Sequence, residues 1–369
     1  MNRDWVVSAA FENRKVMNTF QPIFDVRDLG GDISSLAIAS EPIFDIAHLA
    51  HVELLTPDLE GTLCFFKNLL GLEQTERSGR SAYLRGYEEP YHHSLKITAA
   101  PSAGLGHIAW RVRTPQALER RVRAIEATGL GRGWSQGDLG HGRAYQFETP
   151  EGHRMELFWE VDYITPPADK ETLLRNRPQK RPARGVPVRR IDHVSLFAAN
   201  REGVRDFLVD LLGFRERERV VEEDGSILAS FLSVTNLSHD IAMVPEATKM
   251  RGRLHHVCFH YTSVQHIFDA AELAKEAGLK VEFGPGRHGI GGATFVYMLE
   301  PGGNRIELMG DPGYMIFDPA WRTVVWKASE FPDAAAWTGS PPPDSFLTYG
   351  TPLAEEREAV PAAEPLVQA

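Results

Sequence analysis

The chain has 369 residues, 43% of them hydrophobic and 24% charged, which is ordinary for a soluble globular protein and long enough for two domains plus extensions. A formal net charge of −10 and an isoelectric point near 5.8 argue against a nucleic-acid-binding surface. Two cysteines, Cys64 and Cys258, leave no disulfide framework and no cysteine zinc site.

A reducing compartment follows, and the expected location is the cytoplasm. The N-terminus has no signal-peptide core, and no apolar run approaches the roughly 18 residues of a membrane span. Residues 1–45 read as an N-terminal extension that packs on the body or on a neighbouring subunit of a homo-oligomer. It holds an echo, PIFDV at Pro22–Val26 and PIFDI at Pro42–Ile46.

From Ile46 a pattern begins that occurs twice, and an internal repeat constrains the fold more than any single propensity does. A strand containing His51 and an amphipathic helix closed by Leu-Gly match a strand containing His193 and a second such helix. GHIAWRVRTPQALERRVRAIEATGL matches HHVCFHYTSVQHIFDAAELAKEAGL, again strand then helix, with glycine closing the helix. GRAYQFETPEGHRMELF matches ATFVYMLEPGGNRIELM, a two-strand hairpin. Each copy is β-α-β-β-β in outline, so the class is α+β. The predicted organisation is a non-catalytic module over 46–164, a proline-rich basic linker over 165–187 that is solvated, a catalytic module over 188–320, and a tail over 321–369.

The repeat equates His51 with His193, His107 with His256 and Glu156 with Glu307. A lone histidine in a strand is usually a hydrogen-bonded core residue, but matched places in a repeat reverse that reading for the set. A carboxylate in an apolar strand, as Glu307 is, must be solvated, paired or metal-bound. Two histidines and one carboxylate on separate strands have the composition of the facial triad of non-haem Fe(II), which leaves positions open for other ligands. In the C-terminal copy His239, His288 and Tyr297 accompany the triad, whereas Gly137 and Gln146 stand where His288 and Tyr297 do; His93 matches His239. Catalysis at a metal needs acid/base and hydrogen-bonding groups beyond the ligands. The chemistry is therefore expected in the second copy, with the polar residues of the first merely satisfied within the fold.

GPGRHGIGGATFVYMLEPGGNRIE resembles the signature of the extradiol ring-cleaving dioxygenases, the catechol 2,3-dioxygenase group of the vicinal oxygen chelate (glyoxalase and bleomycin-resistance) superfamily. RGRLHHVCFH resembles that family as well, with His256 at the ligand position. The resemblance spans about Ile46 to Trp326. It implies a tandem repeat of βαβββ units forming two modules, with Fe(II) in the C-terminal one held by His193, His256 and Glu307; Mn(II) is also compatible. It gives His239 the acid/base role, its reference pKa of about 6.5 lying near working pH, and makes Tyr297 and His288 hydrogen-bond donors to the substrate.

The implied reaction is meta cleavage of a catechol-type diol by O2 to a hydroxymuconic semialdehyde-type product, in the breakdown of aromatic compounds. A hydroquinone-cleaving dioxygenase, a glyoxalase-like metal enzyme and a non-catalytic binding protein are the alternatives within the superfamily. Members that cleave homoprotocatechuate carry arginine five residues before the signature histidine, where this chain has Phe283. They also have tryptophan at the place of Phe231 and asparagine at that of Ser195. Phe231 and Phe283 are accordingly expected to line the substrate pocket, and Arg287, next to His288 in an extended backbone, to point away from it.

Overall fold

The computed structural model describes residues 42–353, so the first PIFDV echo lies outside the described residues. Within them, two sheets carry the repeat. The first comprises β1 (Ile46–Thr56), β2 (Glu73–Ser78), β3 (Ser81–Arg85), β4 (Leu95–Ala99), β5 (Gly104–Val112), β6 (Gly131–Ser135), β7 (Ala144–Glu148) and β8 (Arg154–Phe158), in the order β2-β3-β4-β1-β5-β8-β7-β6. The second comprises β9 (Arg190–Ala198), β10 (Arg215–Val221), β11 (Ile227–Ser233), β12 (Ile241–Pro245), β13 (Leu254–His260), β14 (Val281–Arg287), β15 (Thr294–Leu299), β16 (Arg305–Met309) and β17 (Val324–Lys327). Its order is β14-β15-β16-β13-β9-β12-β11-β10-β17, the same arrangement with one added strand.

Each sheet is thus two βαβββ units, joined where β1 meets β5 and where β9 meets β13 in antiparallel pairs. The sequence outlines only one such unit per copy. The strands it misses include β2 and β6 at the edges of the first sheet and β14 at an edge of the second. EQTERS, GRGWS and VEFGPGR are charged or interrupted by glycine and proline, as edge strands that avoid further pairing tend to be. Apolar alternation is therefore absent from the strands where it would be needed to detect them.

The helices α1 (Leu59–Cys64), α2 (Pro115–Glu126), α3 (Arg201–Asp206) and α4 (Val264–Glu276) lie in one continuous core shared by both copies. Helix α2 begins where Thr114 accepts a hydrogen bond from the Ala117 amide, and it buries Ala117, Leu118, Val122 and Ile125. Gly129 and Gly278, with φ of 73° in both, end α2 and α4 in the left-handed region that glycine adopts without strain. Trp110 meets Phe214 at 4.9 Å and Phe66 meets Phe259 at 5.7 Å, so side chains of the two copies interlock. Strand alternation then sorts the remaining residues. Val257, Phe259, Val296, Met298, Ile306 and Leu308 face this core, and His256, Tyr297 and Glu307 face a cavity on the other side.

The stretch between the copies is largely exposed, but several of its basic residues are paired. Arg184 bonds Glu73 at 2.9 Å and the Leu72 carbonyl at 2.8 Å, and Arg177 and Arg189 both reach Glu88. Val186 is buried in the core. Those basic residues answer carboxylates of the first copy, Glu73 on β2 and Glu88 in the loop after β3, a distribution that composition alone does not reveal. Among the described residues, no helix is long and apolar enough to cross a membrane.

Candidate active site

His193 on β9, His256 on β13 and Glu307 on β16 converge on the cavity face of the second sheet. His193 Nε2 lies 3.1 Å from His256 Nε2, and Glu307 Oε2 lies 3.0 Å from each. Neighbouring groups orient both rings. Asp192 Oδ1 accepts the Nδ1 proton of His193 at 3.0 Å. His255 donates Nε2–H to the Phe346 carbonyl at 2.6 Å, which leaves its Nδ1 to accept Nδ1–H of His256, also at 2.6 Å. In both ligand candidates Nε2 therefore presents a lone pair to Glu307, the arrangement that a metal-bound imidazole needs. Glu307 Oε2 is buried yet accepts no well-aligned hydrogen bond. Two imidazole lone pairs and a carboxylate oxygen facing one another in a dry site fit a cation at their centre.

The electrostatics agree. Burial would lower the pKa of His193, but the Asp192 and Glu307 carboxylates beside it outweigh burial and push it up to about 9. Burial would raise Glu307, yet the close approach of His193 and His256 holds it well below the usual carboxylate range. Without a metal the cluster attracts a proton to the same place.

Around this centre lies a cavity of about 610 Å³. His239 packs over His193 with ring centroids 4.1 Å apart, and Ser238 Oγ sits 3.2 Å from its Nδ1, leaving Nε2 for a ligand. Burial, reinforced by His193, pushes His239 well below the ordinary histidine value. That departs from the expectation of a pKa near working pH: the ring is neutral at rest, with a lone pair open at Nε2, and holds a proton only weakly. His288 Nε2 is 3.1 Å from both Tyr297 Oη and Glu307 Oε1, and its Nδ1 donates to the Ala335 carbonyl. Burial and the nearby Glu307 raise the Tyr297 phenol well above its usual value, so it stays protonated.

The structure places Phe231 and Ser195 on the cavity wall but not Phe283. Phe283 lies one layer behind, stacked on Tyr297 at 5.7 Å and packed on Phe295 and Phe346. The wall position is filled instead by residues that chain order does not point to. Phe331, Ala334 and Ala335 from α5 (Phe331–Ala335), with Phe346 from α6 (Ser345–Thr348), close the cavity. Arg287 turns away, as expected, towards the Gly292 carbonyl and Asp311. Gly291, with φ of 68°, lets its loop pass close to Ser238, whose Oγ is 2.8 Å from where a Cβ would stand. Asp192 and His255, which orient the ligands, escaped the sequence reading, although each directly precedes a ligand in DH and HH pairs.

The closing segment is tied to the site by Arg305. Buried beside Glu282 (2.6 Å), it donates to the carbonyls of Ser345 and Tyr349, each at 2.9 Å, and of His255 at 3.2 Å. Substituting Arg305→Leu strands Glu282 uncompensated in the interior, and stability is expected to fall by about 3–5 kcal/mol. The shift of a urea unfolding midpoint measures it, and a loss well under 1 kcal/mol would mean the pair is effectively exposed.

Comparison with known proteins agrees with this geometry. The family model described as the Glyoxalase/Bleomycin resistance protein/Dioxygenase superfamily matches residues 48–157 and 190–308. The chain is 52% identical over 314 residues to a metapyrocatechase of Geobacillus stearothermophilus, covering 85% of this chain and 96% of that one. It is 35% identical over 299 residues to a manganese-dependent 2,3-dihydroxybiphenyl 1,2-dioxygenase of Geobacillus genomosp. 3, covering 80% and 94%. Among solved structures, a variant of homoprotocatechuate 2,3-dioxygenase from B. fuscum superposes with a TM-score of 0.75 at 28% identity, covering 85% of this chain and 84% of that one. The chain belongs to the Glyoxalase/Bleomycin resistance protein/Dioxygenase superfamily. Within it, the chain is an extradiol ring-cleaving dioxygenase of the catechol 2,3-dioxygenase group, a group whose members use a metal ion.

Proposed function

We propose that His193, His256 and Glu307 hold one Fe(II), and that the enzyme opens a catechol-type ring beside its hydroxyls, incorporating both atoms of O2 to give a hydroxymuconic semialdehyde-type product. The observation that carries this reading is the convergence of three ligand atoms within 3.0–3.1 Å of one another at the floor of a cavity large enough for a substituted benzene ring. The metal, when bound, supplies Lewis acidity and the electron transfer that lets O2 react with a closed-shell ring. The rest of the chemistry falls to side chains. Neutral His239 accepts a proton from a substrate hydroxyl at Nε2 and later returns it. The Tyr297 O–H, held at 3.1 Å on His288 Nε2, turns from it to charge that develops on the substrate oxygens. Ala242, Val244, Ile290, Phe331 and Phe346 exclude water from the ring. The free thiols Cys64 and Cys258 suit a reducing cytoplasm.

Anaerobic loading with Fe(II), addition of catechol and then air tests the reading: a ring-opened yellow product is expected, and its absence at full iron occupancy would refute it. Replacing the iron with Mn(II) in the same assay identifies the working ion.

The cavity also carries a specificity prediction. Among the described residues no lysine or arginine lines it. Arg253 is spent on Glu246 at 2.9 Å and on the carbonyls of Gly350 and Pro352. A substrate carboxylate would be buried without a partner, at a cost of several kcal/mol. The expected kcat/KM for catechol or an alkylcatechol exceeds that for homoprotocatechuate about 100-fold or more. A preference for homoprotocatechuate would show that a cationic group reaches the site.

A further inference from the structure

The first sheet carries on its own concave face a cluster that the reaction does not use. His51 Nε2 lies 2.9 Å from His107 Nε2, and Glu156 Oε1 is 3.7 and 3.6 Å from the two. His141, from the loop before β7, brings its Nε2 to 3.5 Å from the same carboxylate oxygen. His51, Glu156 and His141 are 2%, 3% and 8% exposed, and the His107 side chain keeps 17% of its surface.

The protons do not suffice for this arrangement. His107 Nδ1 is 2.9 Å from Glu53 Oε2, and Glu53 also accepts from Thr98 at 2.6 Å. His141 Nδ1 donates to the Gly142 carbonyl at 2.9 Å. Each of these bonds places the ring proton on Nδ1, so both Nε2 atoms present lone pairs. His51 has one proton to direct at His107. Nothing remains for Glu156 Oε1 or His141 Nε2, and both are buried without a hydrogen-bond partner. With neutral rings, acceptors turned towards one another in a largely buried cluster draw a positive charge between them, a proton or a metal ion.

We propose that His51, His107 and Glu156, whose ligand atoms lie within 4.8 Å of one another, bind a second divalent cation of the zinc type, and that His141, which already reaches Glu156 Oε1, closes on it as the fourth ligand of a non-catalytic site. Three imidazoles and one carboxylate are a ligand set on which zinc is four-coordinate, and structural zinc sites lack an open position. Closure is visible in the repeat. His141 stands where the second copy has Gly292, and it packs against Phe158 with ring centroids 4.6 Å apart. It occupies the side from which a substrate would approach, and the space beside the cluster is about 260 Å³ against about 610 Å³ in the second copy. Glu53 holds His107 as Asp192 holds His193, so the supporting carboxylate is present as well. The ion would pin β1, β5, β8 and the 137–142 loop together. This replaces the expectation that the polar residues of the first copy are merely satisfied within the fold.

The proposal is independent of the reading of the second copy, and one experiment separates them. The full-length protein is stripped with a chelator under anaerobic conditions and titrated with Co(II), following the visible spectrum and counting bound metal. Wild type is expected to take two equivalents, one of them with the intense visible bands of four-coordinate Co(II). Glu156→Gln is expected to lose those bands and keep one equivalent, while Glu307→Gln keeps the bands and one equivalent. A wild-type endpoint of one equivalent that Glu307→Gln abolishes overturns the proposal. So does a wild-type endpoint of two equivalents without the four-coordinate bands. A single equivalent lost in Glu156→Gln and retained in Glu307→Gln supports this site and refutes the other. Should Glu156→Gln fail to fold, His141→Asn serves instead: it is expected to weaken the second binding step at least tenfold, and unchanged bands and affinity count against the proposal.

Discussion

The His239→Asn variant is expected to bind its metal and a catechol as wild type does and to turn over about 10²- to 10⁴-fold more slowly, the usual cost of removing a general acid/base. The ring touches the site without forming part of the metal cluster. It lies 4.1 Å, centroid to centroid, from His193 and packs edge-on against Phe231 at 5.3 Å. Asparagine fits the same space and can still meet Ser238, so metal content should be unchanged. It cannot carry a proton. Because burial holds His239 well below its ordinary pKa, the wild-type ring is unprotonated across the neutral range, and its base form should not limit the rate as pH falls from 8 towards 7. Single-turnover kinetics with anaerobically formed enzyme–substrate complex provide the measurement. Undiminished turnover would remove His239 from the proton path.

The His256→Ala variant is expected to lose iron and ring cleavage together, whereas His107→Ala keeps both. His256 supplies one of three ligand atoms, and its removal leaves Oε2 of Glu307, a residue 1% exposed, facing one imidazole instead of two, with His288 still at Oε1. It also leaves His255 Nδ1 without its 2.6 Å partner. Iron content after reconstitution and activity per chain are the two readouts. Full iron in His256→Ala with loss in His107→Ala would place the reaction in the wrong copy.

These results bear on how much of the molecule was written in its sequence. Repetition was legible because it is a property of the string. His193, His256 and Glu307 could be paired with His51, His107 and Glu156 before any coordinate existed, and alternation along RIELM put Glu307 on the face of Arg305 and Met309. Helices were legible from amphipathic periodicity and a closing glycine, as at Gly129. The edge strands were not: their charges, glycines and prolines serve to discourage pairing, which erases the pattern that marks a strand.

Only the tertiary structure decided what surrounds the metal candidates. The aromatic Phe283 and the segment around Phe346 compete for the same wall. Arg305 settles the matter by drawing residues 345–349 across the cavity, so Phe283 is left stacked behind Tyr297. Whether His141 faces solvent or Glu156 depends on the path of one loop, and its spacing from the other ligands carries no signal. Local pattern fixes which face of a strand a residue occupies, but distances between distant segments, and the burial that sets their pKa values, exist only once the chain has packed.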